Sequence, residues 1–92
     1  MRFHVRIAVR LPPTLDRAER ERLLAAELAR GRELHAAGAI VDIWRIPGGL
    51  RNVGIWEAED ATALHALIAS LPLYPYLDAE VTALARHPIT DA

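Results

Sequence analysis

The 92-residue chain contains no cysteine and no lysine. Without cysteine it has no disulfide, no thiol nucleophile and no thiolate metal site. Without lysine, Schiff-base chemistry and a lysine general base are excluded. All eleven basic residues are arginine, which, with the abundant alanine, indicates a GC-rich genome. The formal net charge is −1, so nothing in the composition favours binding to nucleic acid or to an anionic membrane.

The length predicts one small domain over residues 1–92. A domain of this size buries a modest fraction of its surface, so a partner subunit would add stability. No apolar run is long enough to span a bilayer, and the N-terminal residues alternate between polar and apolar, which is not typical of a signal peptide. We therefore expect a cytoplasmic protein that binds no membrane.

Strict alternation of polar and apolar residues over 2–11 predicts a half-buried strand that ends at Pro12-Pro13. A helix follows, with Asp16 as its N-cap, Glu19 as the capping-box partner and Gly38 as its C-terminal stop. Further strands and one further helix are predicted from the same kinds of signal: strands over 39–46, 51–58 and 78–85, and a helix over 61–70.

The predicted order βαββαβ is typical of an α+β, ferredoxin-like sandwich. In that arrangement both helices cover one face of an antiparallel sheet and leave the other face bare. We expect this face to pack against a second subunit and form a dimeric α/β barrel. Gly54, inside the third strand, predicts a close approach by backbone or by a ligand.

Glu27 lies on the apolar side of the first helix. With ~100° per residue and Leu23 at zero, Leu34 lies at about 20°, Glu27 at about 40° and Leu24 at about 100°. A carboxylate in this position should have a raised pKa unless it is paired. Gly31, on the same face, leaves room beside it.

Two interpretations of Glu27 stay open on periodicity alone. A carboxyl group with a raised pKa suits a general base that takes a proton and gives it back, in a pocket between helix and sheet. A structural ion pair with Arg30, or with Arg6 of the first strand, would also explain a carboxylate there.

Other residue patterns that could support metal binding or catalysis are weak. The four histidines lack metal-ligand spacing, so no metal site is expected. No glycine-rich phosphate loop or nucleophile elbow occurs, and Ser70 reads only as the end of a helix. Trp44 and Trp56, in adjacent strands, predict core packing or a stacked wall for a planar ligand.

Asn52 and two tyrosines offer polar groups to a site. The Asn52 amide either donates to a substrate carbonyl oxygen or satisfies a turn. Tyr74 and Tyr76, in the segment LYPY, predict a pocket wall or an interface.

The sequence resembles the muconolactone delta-isomerase family over nearly its whole length. The segments SLPLYPY and LARHP are the most specific part of the likeness, because composition does not explain them. The resemblance is carried by FHVR at 3–6, LPP at 11–13, Glu27, IWR at 43–45, Asn52, LH at 64–65, SLPLYPY at 70–76 and LARHP at 84–88.

The resemblance implies a cofactor-free isomerase of aromatic catabolism, in the 3-oxoadipate (β-ketoadipate) pathway. It would convert (+)-muconolactone to 3-oxoadipate enol-lactone by removing the γ proton and returning a proton to the α carbon through a dienolate. The family is ferredoxin-like and assembles as dimers or rings of dimers. A related branch eliminates chloride from chlorinated muconolactones.

By the same resemblance, Glu27 is the acid–base residue and Asn52 stabilises the oxyanion at the lactone carbonyl. Arg30 holds the substrate carboxylate or tunes Glu27. Trp44 and Tyr76 complete the expected substrate-binding set.

Two positions depart from the family pattern. Leu24 stands where the family usually has lysine, and Leu50 where it has tyrosine, both near the substrate. We interpret this as retained proton transfer with altered specificity, for example toward a bulkier, less polar or chlorinated lactone. Two alternatives stay open: elimination of the chloromuconolactone dehalogenase type, and a non-catalytic ligand-binding or assembly protein on the same scaffold.

Overall fold

The computed structural model describes residues 1–91 and contains the six predicted elements in the predicted order. Most predicted bounds agree to within one residue. The first strand is an exception: it ends at Val9 rather than at residue 11, although the Arg10 N–H still donates to the Tyr76 carbonyl oxygen at 2.9 Å. The elements are β1 (Arg2–Val9), α1 (Arg17–Ala36), β2 (Ile40–Ile46), β3 (Arg51–Glu57), α2 (Ala61–Ala69) and β4 (Leu77–Leu84), with 3₁₀ turns at Tyr74–Tyr76 and Pro88–Thr90.

The four strands form one antiparallel sheet in the order β2-β3-β1-β4, which confirms the ferredoxin-like topology. The side chains of Phe3, Val5 and Ile7 point to the face that both helices cover, and they are buried. Among the described residues, ten hydrophobic side chains are buried and form the core: Phe3, Val5, Ile7, Leu34, Ile40, Trp56, Leu64, Ile68, Leu71 and Leu73.

Helix α1 begins and ends where its capping residues predict. The Asp16 carboxylate accepts the Glu19 N–H at 2.9 Å, and Gly38 adopts a φ of 84° that a side chain would disfavour. The reciprocal half of the capping box is wrong, because the Glu19 carboxylate pairs with the Arg22 guanidinium instead. No helix among the described residues is both long and apolar enough to cross a membrane.

A register shift in β2 explains Gly54. The pairing of β2 with β3 is irregular between Ile40 and Asp42, and a Cβ at Gly54 would lie 2.7 Å from the Asp42 carbonyl oxygen. The predicted close approach at this glycine is therefore made by the backbone of β2 and not by a ligand.

Gly54→Ala should destabilise the domain by about 1–3 kcal/mol, because backbone atoms cannot move aside as a flexible side chain can. A loss of ~1 kcal/mol lowers the Tm of a domain this small by roughly 4–8 °C, which a thermal melt detects. Gly31→Ala is the matched control: a Cβ there meets nothing within 4 Å, so that variant should melt no lower than the parent. Equal Tm values for the Gly54 variant and the parent would contradict the steric explanation.

The sheet face opposite the helices is bare, as predicted, and is called the open face below. The total accessible surface is 6416 Å². A monomer of this mass is expected to expose about 5,300 Å², so the chain carries roughly 1,100 Å² of additional surface. The strand registers assign six apolar residues to the open face: Ala8, Trp44, Ile46, Val53, Ile55 and Leu84.

Candidate active site

Glu27 projects from α1 toward the turn that follows α2. Its carboxylate oxygen Oε1 accepts the backbone N–H of Leu73 at 3.0 Å, and the Leu73 side chain is 2 % exposed. Burial raises the pKa of Glu27, and the hydrogen bond from Leu73 opposes that rise. The raised pKa agrees with the prediction from its place on the apolar side of the helix.

The surroundings of Glu27 on α1 match the predicted helical face in part. Leu23 and Leu24 are half-buried, and Leu34 is buried. Leu28 is 55 % exposed, so the buried side of the helix is narrower than the spacing of leucines suggests. Because a Cβ at Gly31 would meet no atom within 4 Å, there is space next to the carboxylate.

The ion-pair interpretation of Glu27 is wrong for both proposed partners. The Arg30 guanidinium instead donates to Ser70 Oγ, from Nε at 3.1 Å and from Nη2 at 3.0 Å, and to Glu33 at 3.0 Å. Arg6 pairs in register with Val53 and therefore lies on the open face, across the sheet from Glu27. None of the ion pairs among residues 1–91 includes Glu27.

The amide that faces Glu27 belongs to a tightly bonded turn. Helix α2 ends at Ala69, and the N–H groups of Leu71 and Tyr74 then bond back to the carbonyl oxygens of Ile68 and Leu71. Pro72 lacks an N–H, so Leu73 supplies the next free donor of the segment. This backbone group was not predicted from the sequence, although it lies within the specific segment SLPLYPY.

Asn52 faces the helices, because it pairs in register with the buried Ile7. Its Oδ1 is buried and has no hydrogen-bond partner, so the interpretation of Asn52 as a turn residue is wrong. Buried polar atoms are nearly always paired, and an orphaned one points to a missing partner such as a ligand. The side-chain amide can present either its oxygen or its NH₂ to that partner. Among residues 1–91, Trp56 Nε1 is the other buried side-chain nitrogen or oxygen atom without a partner.

Arg45 is a further cation on the helix-facing side. It lies directly across from Asn52 in the pairing of β2 with β3, and it forms no ion pair within residues 1–91. Arg45 was not predicted as a site residue and belongs to the segment IWR of the family resemblance. Its face could be assigned only after the irregularity in β2 was known.

The remaining predicted substrate contacts are spread over the structure. Leu24 is half-buried one turn before Glu27 on α1. Tyr76 and Leu50 are half-buried beside the C-terminal end of β1, where Val9 donates to the Leu50 carbonyl oxygen at 3.1 Å. Trp44 is 54 % exposed on the open face, so a single subunit does not bring it to Glu27.

The predicted wall of two tryptophans is wrong, since the two rings lie on opposite faces of the sheet. Trp56 pairs with Phe3 and is buried in the core, whereas Trp44 pairs with Val53 on the open face. Over residues 1–91, no three His, Asp or Glu side chains come together as a set of metal ligands.

A model of the muconolactone delta-isomerase family matches residues 1–90. The muconolactone delta-isomerase of Rhodococcus opacus is 40% identical over 85 residues, which cover 92% of this chain and 91% of that protein. The muconolactone delta-isomerase of Pseudomonas aeruginosa is 39% identical over 88 residues, 96% of this chain and 92% of that protein.

Solved structures agree with these matches. A crystal structure of muconolactone isomerase superposes with a TM-score of 0.91 at 37% identity, and the match covers 100% of this chain and 96% of that one. A 5-chloro-2-hydroxyhydroquinone dehydrochlorinase from Burkholderia phenoliruptrix AC1100 has a TM-score of 0.72 at 21% identity, covering 99% of this chain and all of that one. The second likeness shows a shared fold alone.

Proposed function

The chain belongs to the muconolactone delta-isomerase family, and from this we propose that it moves the double bond of an unsaturated five-membered lactone, muconolactone or a close analogue. The observation that carries the proposal is Glu27, a half-buried carboxylate with a raised pKa and open space beside it. Among the described residues its one polar contact is the Leu73 amide, so an oxygen is left for a substrate.

Proton transfer by Glu27 accounts for the whole isomerisation. The ionised carboxylate takes the proton from the γ carbon, and the electron pair of that C–H bond moves through the ring onto the lactone carbonyl oxygen. Protonated Glu27 then returns the proton to the α carbon, which restores the carbonyl and leaves the double bond between β and γ. The raised pKa suits both steps, since the carboxyl group must accept the proton and also release it.

Asn52 is suited to stabilise the dienolate between these steps. Its amide reaches the same side of the sheet as α1, and its buried oxygen lacks a partner within the protein. With the NH₂ turned toward the ligand, it would donate to the carbonyl oxygen where negative charge develops. This places the electrostatic stabilisation on a rigid strand rather than on a loop.

Arg45 is better suited than Arg30 to bind a substrate carboxylate. Arg30 is engaged with Ser70 and Glu33, whereas Arg45 lies beside Asn52 with no ion pair in the described chain. A guanidinium binds a carboxylate in a bidentate manner, which would also orient the lactone ring. Leu24, one turn from Glu27, makes the rest of the pocket less polar and favours a less polar lactone.

The decisive experiment is an ultraviolet assay of the purified protein with (+)-muconolactone, beside a panel of alkyl-substituted and chlorinated muconolactones. Conversion to the β,γ-unsaturated lactone supports the isomerase, and the relative kcat/KM values identify the preferred ring. Release of chloride without isomerisation of the parent lactone would instead favour elimination. A folded protein that converts none of these compounds would contradict the proposal.

Asn52→Ala should lower kcat by about 10²-fold, as removal of an oxyanion donor does in other enzymes. Its Tm should not fall, because the Asn52 oxygen forms no hydrogen bond that the substitution would break. Steady-state kinetics and a thermal melt on the same preparation test both halves. A kcat within threefold of the parent would remove Asn52 from the reaction.

Self-association through the open face is part of the proposal. The chain as a whole carries roughly 1,100 Å² of additional surface, which is enough for the ~800 Å² that one partner buries in a standard interface. The six apolar residues of the open face would supply a hydrophobic centre, and a closed two-fold arrangement would cover both copies.

A further inference from the structure

Two hydrogen-bonded contacts join α1 to the end of α2. One connects Glu27 with the Leu73 amide, and the other connects Arg30 with the Ser70 hydroxyl. Glu27 and Arg30 are three residues apart on one side of the helix, and Ser70 and Leu73 are three residues apart on the facing segment. The two contacts therefore lie one helical turn apart and connect the same two elements.

Several hydrogen bonds restrict both side chains of the Arg30–Ser70 contact. Two guanidinium nitrogens, Nε and Nη2, converge on Ser70 Oγ at 3.1 and 3.0 Å. The hydroxyl in turn donates to the Leu67 carbonyl oxygen at 2.6 Å, which fixes its orientation on the last turn of α2. Glu33 accepts from the remaining guanidinium nitrogen at 3.0 Å, so the arginine is held from both sides.

The segment from Ser70 to Leu73 is rigid, so fixing Ser70 also fixes the Leu73 amide. Leu71 and Leu73 are both buried, and Pro72 between them restricts the backbone. The Ser70 N–H also bonds to Ala66, which continues the helix up to the hydroxyl. Moving Ser70 relative to α1 would therefore move the Leu73 amide relative to the Glu27 carboxylate.

The contact also keeps a cation away from the base. Arg30 is one turn from Glu27, close enough that the two side chains would pair if the guanidinium were free. A direct pair would stabilise the ionised carboxylate and weaken it as a base. Ser70 and Glu33 hold the guanidinium instead, and within residues 1–91 no ion pair to Glu27 forms.

We propose that Arg30 and Ser70 are positioning residues that hold the Leu73 amide against Glu27 and so align the carboxylate for proton transfer. The alignment part rests on the proposed function of Glu27. The mechanical part, which concerns the position of the Leu73 amide, does not depend on any substrate.

Four variants separate the mechanical part from general destabilisation. Arg30→Met and Ser70→Ala each remove one side of the contact, and Ser70→Thr keeps the hydroxyl. Arg32→Met is the matched control, because it removes a neighbouring exposed arginine of α1 whose side chain forms no hydrogen bond or ion pair in the described chain. Ser70→Ala keeps the test usable if Arg30→Met does not fold.

The first measurement is hydrogen exchange of the Leu73 amide in the free protein. Loss of a well-aligned hydrogen bond to a charged group should speed this exchange by about tenfold in Arg30→Met and Ser70→Ala. Exchange of the Val5 amide in the central strand should not change, and Ser70→Thr and Arg32→Met should match the parent. Equal Leu73 exchange in Arg30→Met and Arg32→Met, or no difference between Ser70→Thr and Ser70→Ala, would overturn the proposal.

The second measurement is lactone turnover. Misalignment of the base should lower kcat by about tenfold in Arg30→Met and Ser70→Ala with KM nearly unchanged, and Ser70→Thr should restore it. A change in KM alone would overturn the alignment role. If the parent protein turns over no lactone, the proposed function fails, and the exchange data still decide whether the contact holds Leu73.

Discussion

Glu27→Gln is expected to lower kcat for lactone isomerisation by about 10³-fold, within the range measured for general acid–base groups. Glutamine has nearly the same shape, and its side-chain oxygen still accepts the Leu73 N–H, so the pocket should keep its geometry. What is lost is the ability to take a proton. The loss should therefore appear in kcat, with KM changed little.

The pH dependence of the parent enzyme tests the same residue independently. Because burial raises the pKa of Glu27, kcat/KM should rise with pH through a midpoint above the ordinary glutamate value of 4.5. The reaction needs the ionised base in the free enzyme, which fixes this direction. A profile that is flat between pH 4 and 8 would argue against Glu27 as the base.

Stability should move in the opposite direction from activity. Between pH 4.5 and the raised pKa, the native state binds more protons at Glu27 than the unfolded state does, so the free energy of unfolding falls as pH rises. Above the raised pKa the loss in the free energy of unfolding that the buried, ionised Glu27 causes, called the deficit here, stays constant. Glu27→Gln removes the deficit, and we expect its Tm at neutral pH to exceed that of the parent by a few degrees, with the difference vanishing near pH 4.

Glu21→Gln is the matched control for both effects. Glu21 lies on the exposed side of the same helix and pairs with Arg17 there. Its substitution should leave kcat and the pH profile unchanged. Full activity of Glu27→Gln would refute Glu27 as the base of the isomerisation. A ligand-binding protein is favoured instead if neither the parent nor this variant turns over a lactone, since a neutral side chain in this position then costs nothing.

Local sequence signals were sufficient for the elements and for the place of Glu27. Helical periodicity assigns Glu27 to the apolar side of α1 without any knowledge of the fold. Its hydrogen-bond partner could not be predicted in this way, because the Leu73 amide is 46 residues away along the chain. The same holds for Arg30, whose partner Ser70 is 40 residues away.

The orientation of the side chains in β2 could not be predicted from the sequence, for a different reason. Simple alternation from the buried Ile40 would put Trp44 on the helix-facing side, with the core. The irregularity between Ile40 and Asp42 reverses the alternation, so Trp44 points to the open face and Arg45 to the helix-facing side. A bulge has no reliable sequence signal on its own strand, and the available sign was Gly54 on the neighbouring strand.

Trp44→Glu is expected to convert the proposed dimer to a monomer, from twice the 10.2 kDa chain mass to a single chain mass in light scattering at micromolar concentration. Trp44 is 54 % exposed, so the substitution should cost an isolated subunit little. In a dimer it would remove a large aromatic contact and bury an unpaired carboxylate in an apolar interface, which is among the most costly changes at any interface.

The control for this variant is Ile89→Glu, which puts the same charge on an apolar side chain that is 82 % exposed and lies outside the sheet. Dissociation by Trp44→Glu alone would assign the dimer interface to the open face. Dissociation by Ile89→Glu alone would assign it to the C-terminal segment and leave the open face without a role in association. A monomeric parent protein would contradict the interface altogether, because the open face would then be exposed to water in the native state and not covered by a second subunit.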